Sequence, residues 1–357
     1  MRHLFWGAAL SVVLQTAVFA QPNFVLPSGE KRTGKAGEHF SRFDFQHFNV
    51  ENGLSQGTIR AVLQDHNGFI WIGTNDGLNR FDGVEYRTFR HRFQDPTSLS
   101  DNTITSLYED HEKTLWVGTL VGLHRFDGAK ESFTRIVYVK DDSTRVTEYR
   151  ISSIYETRIR GETALWVVSN ADDHSAFDGR SLSFVDRKKN ELHSVVFNRH
   201  GQEGKTLAKV FAIAQDHEGI IWMVTFDGLL RVDPRLDSLE NVLSFVPPAA
   251  TLVISRNDAD NALWIGTPNG LLKFDRRHRK TIFQLPYHVT SLLEDRKGRL
   301  WVGTGTGLIL LGQDGSREAT ITVGEQGSGS GGLTDNYILA LCEDASGALC
   351  CFMGGYV

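Results

Sequence analysis

The sequence predicts an all-β fold, a seven-bladed β-propeller of four-stranded antiparallel blades. Three observations predict it. Six of the seven Trp recur at one position of a repeat, at spacings of 45, 50, 56, 42 and 37 residues. Each lies in an apolar string similar to Leu-Trp-Val-Gly-Thr, flanked by segments in which apolar and polar residues alternate. Asp-Gly pairs between such segments, as at Asp82-Gly83, are typical of β-hairpin turns.

Each repeat contains four predicted strands. In the second repeat they cover 104–108, 115–117, 123–126 and 132–136, and polar turns separate them. One such unit about every 40 residues is the pattern of a propeller blade. The recurring Trp are Trp71, Trp116, Trp166, Trp222, Trp264 and Trp301.

The recurring residues have structural roles in this prediction. A large flat Trp side chain fills the wedge between neighbouring blades. The Gly that follows it keeps the crowded path near the axis clear. A recurring Asp opens the first hairpin and is expected to form an Asx-type turn. These residues are Asp65, Asp110, Asp216, Asp295 and Asp344.

The chain is predicted to have three parts. Residues 1–20 combine a positive start, an apolar run and small residues at 18 and 20, the pattern of a signal peptide cleaved before Gln21. An uncleaved membrane anchor is the alternative, and no other stretch is long enough to span a membrane. Residues 21–41 lack periodicity and are expected to be a disordered extension. Residues 42–357 form the propeller, with blades at about 57–93, 101–139, 150–197, 207–246, 250–286, 287–324 and 335–357.

The two ends of the propeller are predicted to meet. Residues 42–48 read as a fourth strand, whereas 335–357 supply only first and second strands. Pairing the N-terminal strand into the last blade would close the ring. The third strand of that blade is missing in this prediction, because 354–357 is too short to supply it. A defective blade and a chain that is the front of a longer protein are the alternatives, and the unpaired edges favour the second.

Three segments resemble the two-component regulator propeller repeat. They are GLSQGTIRAVLQDHNGFIWIGTNDGLNRFDG at 53–83, SLSDNTITSLYEDHEKTLWVGTLVGLHRFDG at 98–128, and the segment 288–311. That family occurs in periplasmic sensor regions of bacterial hybrid histidine kinases and some diguanylate cyclases. The resemblance implies a periplasmic or secreted N-terminal propeller that senses a small molecule or glycan, without a catalytic transmitter domain. A second propeller or a signalling protein is the implied partner.

Two repeats depart from the family pattern. Val168-Ser169 replaces Gly-Thr in the third repeat, and 183–206 is a long polar insertion. These departures affect the expected blade boundaries rather than the fold.

No motif indicates catalysis, a cofactor or a bound metal. His111 begins a string like that of zinc proteases but lacks the second His, and the Gly-Thr string at 303–307 leads into a strand rather than a helix. A net charge of −5 at pH 7 argues against nucleic acid as a partner.

The three Cys lie near the C-terminal end and are interpreted as buried or incidental thiols rather than a disulfide framework. Cys350 stands where a seventh Trp would be. Cys351 follows it on a predicted strand, so the two side chains point to opposite faces and cannot easily pair.

A ligand is expected at the face that carries the turns between second and third strands and the loops between blades. The candidate residues are Asn75, Asp76, Asp172, Asp173, His174, Phe226, Asp227 and Asn269. Ordinary polar turns explain each of them equally well. Two other functions remain open: a secreted protein–protein interaction scaffold, and a metal-dependent lyase acting through His174 or His288.

Overall fold

A computed structural model describes residues 24–27, 45–48, 50–139, 145–146, 149–159, 161–169, 182–194, 210–225, 228–233, 238–243, 251–255, 262–312, 315–323, 333, 335–344 and 347–353. In these ranges the chain is almost entirely β-strand and turn, with one three-residue 3-10 helix at Val50–Asn52. None of the described segments is a helix long and apolar enough to cross a membrane.

The strands follow the repeat pattern. Two short strands come first, β1 (Phe24–Pro27) and β2 (Phe45–Phe48). Blade one contains β3 (Ile59–Gln64), β4 (Ile70–Thr74), β5 (Gly77–Phe81) and β6 (Tyr86–Phe89). Blade two contains β7 (Ile104–Glu109), β8 (Leu115–Thr119), β9 (Gly122–Asp127) and β10 (Ser132–Arg135).

The third unit is larger. It begins with β11 (Val137–Val139) and β12 (Arg145–Val146). Its other strands are β13 (Ile151–Ile159), β14 (Glu162–Ser169), β15 (Leu182–Asp186) and β16 (Glu191–Ser194).

Three regular blades and two final strands follow. Blade four contains β17 (Val210–Gln215), β18 (Ile221–Thr225), β19 (Gly228–Asp233) and β20 (Ser238–Leu243). Blade five contains β21 (Thr251–Ile254), β22 (Ala262–Thr267), β23 (Gly270–Asp275) and β24 (Lys280–Leu285). Blade six contains β25 (Val289–Glu294), β26 (Leu300–Thr304), β27 (Gly307–Leu311) and β28 (Arg317–Ile321). The last strands are β29 (Ile338–Glu343) and β30 (Leu349–Met353).

The sheets are arranged as the blades of a propeller. In blades one, two, four, five and six the first strand is innermost, and the four strands pair antiparallel in chain order. The innermost strands contact one another in succession around the axis. The fold is therefore an all-β propeller with four-stranded antiparallel blades, as the sequence predicts.

The expected count of seven blades needs correction. Six blades are each formed by a continuous stretch of chain, whereas the seventh sheet is composite, with strand order β2-β1-β30-β29. Its innermost strand, β29, contacts β25 of blade six and β3 of blade one. We call it the composite sheet.

The composite sheet also differs from the predicted incomplete blade. Its third strand is β1, which lies inside the segment expected to be disordered and pairs with β30 through Val25 opposite Cys351. On its other side β1 pairs with β2. Residues 24–27 carry none of the repeat signature and lie far along the chain from β30, so pattern reasoning did not identify them.

Blade three departs from the four-stranded pattern. Its sheet has six strands, because β11 pairs parallel to β16 and β12 pairs with β11. Val137 and its neighbours, expected at the end of blade two, therefore extend the outer edge of blade three. Adding two short strands shields the hydrogen-bonding groups of β16.

The hydrophobic core lies between blades. Trp71 of blade one packs with Ile104, Leu115 and Val117 of blade two. Trp116 packs with Ile151 and Val167 of blade three in the same way. Both Trp are buried, and the wedge-filling role predicted for them is confirmed.

Candidate functional site

The turn between the second and third strands of a blade is fixed by its Thr. In blade one, Thr74 Oγ1 donates to the carbonyl of Gly77 at 2.9 Å and accepts the N–H of Asp76 at 3.0 Å. Gly77 has a backbone φ of 112°, a conformation that residues other than Gly rarely adopt. The same Thr–Gly bond recurs in four further blades, at Thr119, Thr225, Thr267 and Thr304.

The segments that lead into the innermost strands lie on these turns. Ser55, which precedes β3, shares a hydrogen bond of 3.0 Å with Thr74 Oγ1. Ser100, which precedes β7, donates to the carbonyl of Val121 at 3.1 Å. In blade six the N–H of Gly305 bonds to the carbonyl of His288 at 3.3 Å. The turns and inter-blade loops therefore share one side of the ring, which we call the loop face.

Three of the predicted site residues belong to the loop face. Asn75 and Asp76 are half-buried in the β4–β5 turn, and Asn269 is exposed in the equivalent turn of blade five. The N–H of Asn269 bonds to Thr267 of its own turn at 3.2 Å, and Asn269 and Asn75 belong to different blades. The other five predicted residues, Asp172, Asp173, His174, Phe226 and Asp227, lie outside the described residues.

Asp76 has a cationic partner. Its Oδ2 accepts from Arg90 Nη2 at 2.9 Å, and both side chains are partly exposed. An ion pair in this setting contributes little to stability, because water screens it. The pair holds the Asp76 carboxylate against the turn.

A positive charge that sequence reasoning missed lies beside Asn75. Arg60 is the second residue of the innermost strand β3, and its Nε donates to Asn75 Oδ1. Desolvation lowers the pKa of Arg60, and the nearby charge of Arg150 lowers it further. Arg150 directly precedes the innermost strand β13. The start of the inner strands at the loop face therefore brings two guanidinium groups into one field.

Arg60 stands out from the equivalent residues of the other inner strands, but this is visible only once the pairing of the strands is known. In six of the seven inner strands of the described sheets, all except β21, the residue directly after the first apolar residue is Arg60, Thr105, Ser152, Phe211, Thr290 or Leu339. Arg is the one charged residue in this set. Alignment of the repeats by their Trp alone does not show which of these positions lie at the axis.

An aromatic pair lies elsewhere on the loop face. The rings of His288 and Tyr337 are 6.2 Å apart at their centroids, and each precedes an innermost strand. A Cβ at Gly305 would be 3.4 Å from His288 Nδ1 and 3.5 Å from the Tyr337 ring. Gly305 thus leaves the two rings room beside the β26–β27 turn.

The opposite side of the ring is joined by imidazole–carboxylate contacts. His66 Nδ1 is 2.6 Å from Glu109 of the next blade, and His111 Nδ1 is 2.7 Å from Glu156. His111, which begins the protease-like string, therefore has a structural partner in blade three. Within the described part of the chain, no group of three or more His, Cys, Asp or Glu side chains is placed to hold a metal ion.

The recurring Asp does more than form a turn. In blade one, Asp65 Oδ1 accepts the N–H groups of Asn67 and Phe69, as expected for an Asx-type turn. Its Oδ2 accepts the indole N–H of Trp71 at 2.8 Å. The Asp–Trp bond recurs at Asp110–Trp116, Asp216–Trp222 and Asp295–Trp301. The signature residues are thus occupied in holding the blade together.

Solved structures share the fold. The extracellular domain of a hybrid two-component system from B. thetaiotaomicron superposes with a TM-score of 0.67 at 19% identity, covering 86% of this chain and 41% of that chain. The extracellular domain of a one-component system from the same organism gives 0.60 at 19% identity, covering 84% and 41%. Virginiamycin B lyase from Staphylococcus aureus gives 0.55 at 9% identity, covering 83% and 94%.

Sequence comparison identifies the repeats. The chain is 43% identical over 58 residues to Histidine kinase P4 of Formosa agariphila, a match over 16% of this chain that spans only 4% of that relative. The family model described as two-component regulator propeller matches residues 53–76, 98–120 and 285–306. These matches cover the inner strand, the Trp string and the beginning of the following turn in blades one, two and six. The chain therefore carries two-component regulator propeller repeats.

Proposed function

We propose that this chain is the ligand-recognising sensor part of an extracytoplasmic signalling protein. The observation that carries the proposal is the coincidence of the family match with a fold shared with extracellular domains of two-component systems. The predicted signal peptide at 1–20, outside the described residues, agrees with export. The role is recognition rather than catalysis, because the recurring polar side chains serve the fold.

The positive charges of Arg60 and Arg150 at the loop face favour a ligand with an acidic group. Arg60 binds the neutral amide of Asn75, and the field of Arg150 opposes its charge. A carboxylate, sulfate or phosphate at this point would relieve the repulsion and accept charge-assisted hydrogen bonds. A glycan with an acidic sugar and a small carboxylate metabolite both have this chemistry.

A thermal-shift screen followed by calorimetry tests the proposal. The purified chain is screened against paired neutral and acidic oligosaccharides and small carboxylates. An acidic compound is expected to raise the Tm, since binding to the folded state alone stabilises it. In Arg60→Gln the affinity for that compound should fall about tenfold or more.

The control is Arg277→Gln, which removes an exposed Arg in the β23–β24 turn at the opposite side of the ring. This variant should bind as the wild type does. Equal loss in both variants would indicate general electrostatic attraction. A screen in which no compound raises the Tm, with a protein partner recovered in pull-downs, would favour an interaction scaffold instead.

Fractionation tests export separately. In a bacterial host, mature protein beginning at Gln21 is expected outside the cytoplasm. Retention of the full chain with residues 1–20 in the cytoplasm would contradict the extracytoplasmic part of the proposal.

A further inference from the structure

Cys342 and Cys350 occupy a special position in the repeat. In each of the six blades the recurring Trp lies directly opposite a residue of the innermost strand. The opposing residues are Leu63, Tyr108, Tyr155, Ala214, Val253 and Leu293. In the composite sheet the Trp position is Cys350, and the residue opposite is Cys342. Both members of this cross-strand pair are therefore Cys in the same sheet.

We propose that Cys342 and Cys350 form a cross-strand disulfide that joins β29 to β30. Directly opposed residues of an antiparallel pair have Cα atoms about 4.5 or 5.5 Å apart, and their side chains lie on one face. Both spacings fall within the range that a disulfide bridges, about 4.4 to 6.8 Å. The register therefore meets the geometric requirement without movement of the backbone.

The surroundings distinguish this pair from the third thiol. Cys350 and Cys342 share an apolar cluster with Ile59 and Ile72 of blade one. Cys351 belongs to the cluster on the other face of the sheet, with Trp301 of blade six. Successive residues of a strand alternate in direction, so Cys351 cannot take the place of either partner.

The exposure of the two thiols fixes the order of the chemistry. Cys342 is partly exposed, whereas Cys350 is fully buried. The hydrogen bond that the Cys350 thiol makes to Cys342, together with burial, raises the pKa of Cys350. Cys342 is therefore the thiol that an external reagent meets, and Cys350 the one that completes the reaction.

A small-molecule disulfide, such as oxidised glutathione, is the oxidant. The Cys342 thiolate attacks one sulfur of this disulfide and forms a mixed disulfide, and one thiolate leaves. The Cys350 sulfur then attacks the Cys342 sulfur, loses its proton to solvent and expels the second thiolate. Two protein thiols are oxidised, and one disulfide is reduced to two thiols. The oxidising compartment comes from the proposed function, whereas the geometry does not depend on it.

The bond would serve the sheet that contains both ends of the described chain. Trp supplies a large buried area and, in most blades, an indole hydrogen bond to the turn Asp, whereas Cys350 buries a smaller side chain and has no indole N–H. Asp344 is still present and accepts the N–H of Ala348 at 2.8 Å. A covalent link across β29 and β30 replaces the lost packing at this point.

Intact mass and peptide mapping of the full chain test the inference. Protein purified with reductant is equilibrated with oxidised glutathione and quenched with acid. Loss of two hydrogens and a digest fragment linking Cys342 to Cys350 are expected. A persistent glutathione adduct, three alkylatable thiols after denaturation, or a bond to Cys351 would each overturn the proposal.

Thermal unfolding gives a second readout. Oxidation should raise the Tm of the wild type by about 5 °C. Cys351→Ala should keep this shift. Cys342→Val should lose it, and Val is an occupant that the fold accepts, because Val253 lies opposite Trp264. A wild-type Tm that oxidation leaves unchanged or lowers would contradict a stabilising bond.

These measurements are made on purified protein, so they do not depend on where the chain resides. Formation of the bond in vitro together with cytoplasmic retention in cells would overturn export while leaving the disulfide geometry intact. Export of a chain whose purified form does not make the bond would overturn the disulfide and leave the proposed export intact.

Discussion

Asp110 accepts the indole N–H of Trp116 at 2.8 Å, and both residues are buried. The other carboxylate oxygen of Asp110 accepts the N–H groups of Glu112 and Thr114. Arg187 of blade three lies 3.2 Å from the same carboxylate. One side chain thus fixes a hairpin turn, the Trp of its own blade and the contact with the next blade.

Asp110→Ala is therefore expected to lower the free energy of unfolding by about 3 kcal/mol or more, because three N–H groups lose their acceptor and Arg187 loses one of its three carboxylate partners. Chemical denaturation followed by Trp fluorescence measures the change. Asp127→Ala is the matched control: Asp127 also accepts two N–H groups, but in an exposed hairpin turn. A loss in Asp127→Ala as large as that in Asp110→Ala would show that the turn alone accounts for the effect.

His124 gives the protein a pH dependence. It is fully buried, and its Nε2 accepts the N–H of Ser100 at 3.1 Å. Burial, with the charge of Arg135, lowers the pKa of His124 to about 3. An unfolded His takes up a proton below about pH 6.5. Because the folded protein holds His124 neutral, protonation favours the unfolded state. The free energy of unfolding is therefore unaffected by His124 above about pH 6.5 and decreases as the pH falls toward 3.

His124 alone is expected to lower the free energy of unfolding at pH 5 by about 2 kcal/mol relative to neutral pH. His124→Asn isolates it, because Asn79 makes the same contact in blade one and accepts the N–H of Ser55 at 3.1 Å. Urea unfolding of both proteins at pH 7.5 and pH 5 gives the comparison. His124→Asn should lose less stability on acidification, and equal losses would mean that other groups set the acid sensitivity.

Gly118 controls how closely two blades approach. A Cβ at this position would lie 2.6 Å from Ile151 Cγ2 of blade three and 2.2 Å from Ser106 Oγ. Gly118→Ala is expected to cost about 2 to 3 kcal/mol through overpacking. Gly128→Ala is the control, because the nearest atom to its Cβ would be 3.8 Å away, and its stability should change by less than about 0.5 kcal/mol. Thermal unfolding of the two variants measures these changes. If Gly118→Ala left the stability unchanged, the two blades could move apart at low cost in free energy.

The features of the fold that recur from blade to blade could be predicted from the sequence. The Trp string, the Thr–Gly turn and the Asx-type turn recur in register, so periodicity revealed the blades and the roles of Trp116 and Asp110. The hydrogen bond from the indole N–H to the Asp carboxylate was missed, because a turn already explained the presence of the Asp. β1 was missed because a single four-residue strand has no repeat to be compared with.

The candidate site was less predictable for a related reason. Asn75 and Asp76 were proposed from a repeating turn, and the structure places them in the β4–β5 turn; their role in binding stays a prediction. Arg60 and Arg150 come from two different blades, and no local sequence pattern reports that their charges influence each other. The pairing of Cys342 with Cys350 likewise depends on cross-strand register, which the spacing of eight residues along the chain does not reveal.

The composite sheet makes a prediction about the N-terminal strand. β1 lies between β2 and β30, so backbone groups on both of its edges enter hydrogen bonds. Val25→Pro removes one N–H from a strand paired on both sides, where Pro is not tolerated. The variant is expected to unfold at a lower denaturant concentration and to expose the edge of β30 for association with other chains. Val25→Thr keeps the N–H and a β-branched side chain, and should unfold like the wild type. Denaturation monitored together with light scattering measures both effects. If Val25→Pro matched Val25→Thr in midpoint and scattering, β1 would not contribute to closing the ring.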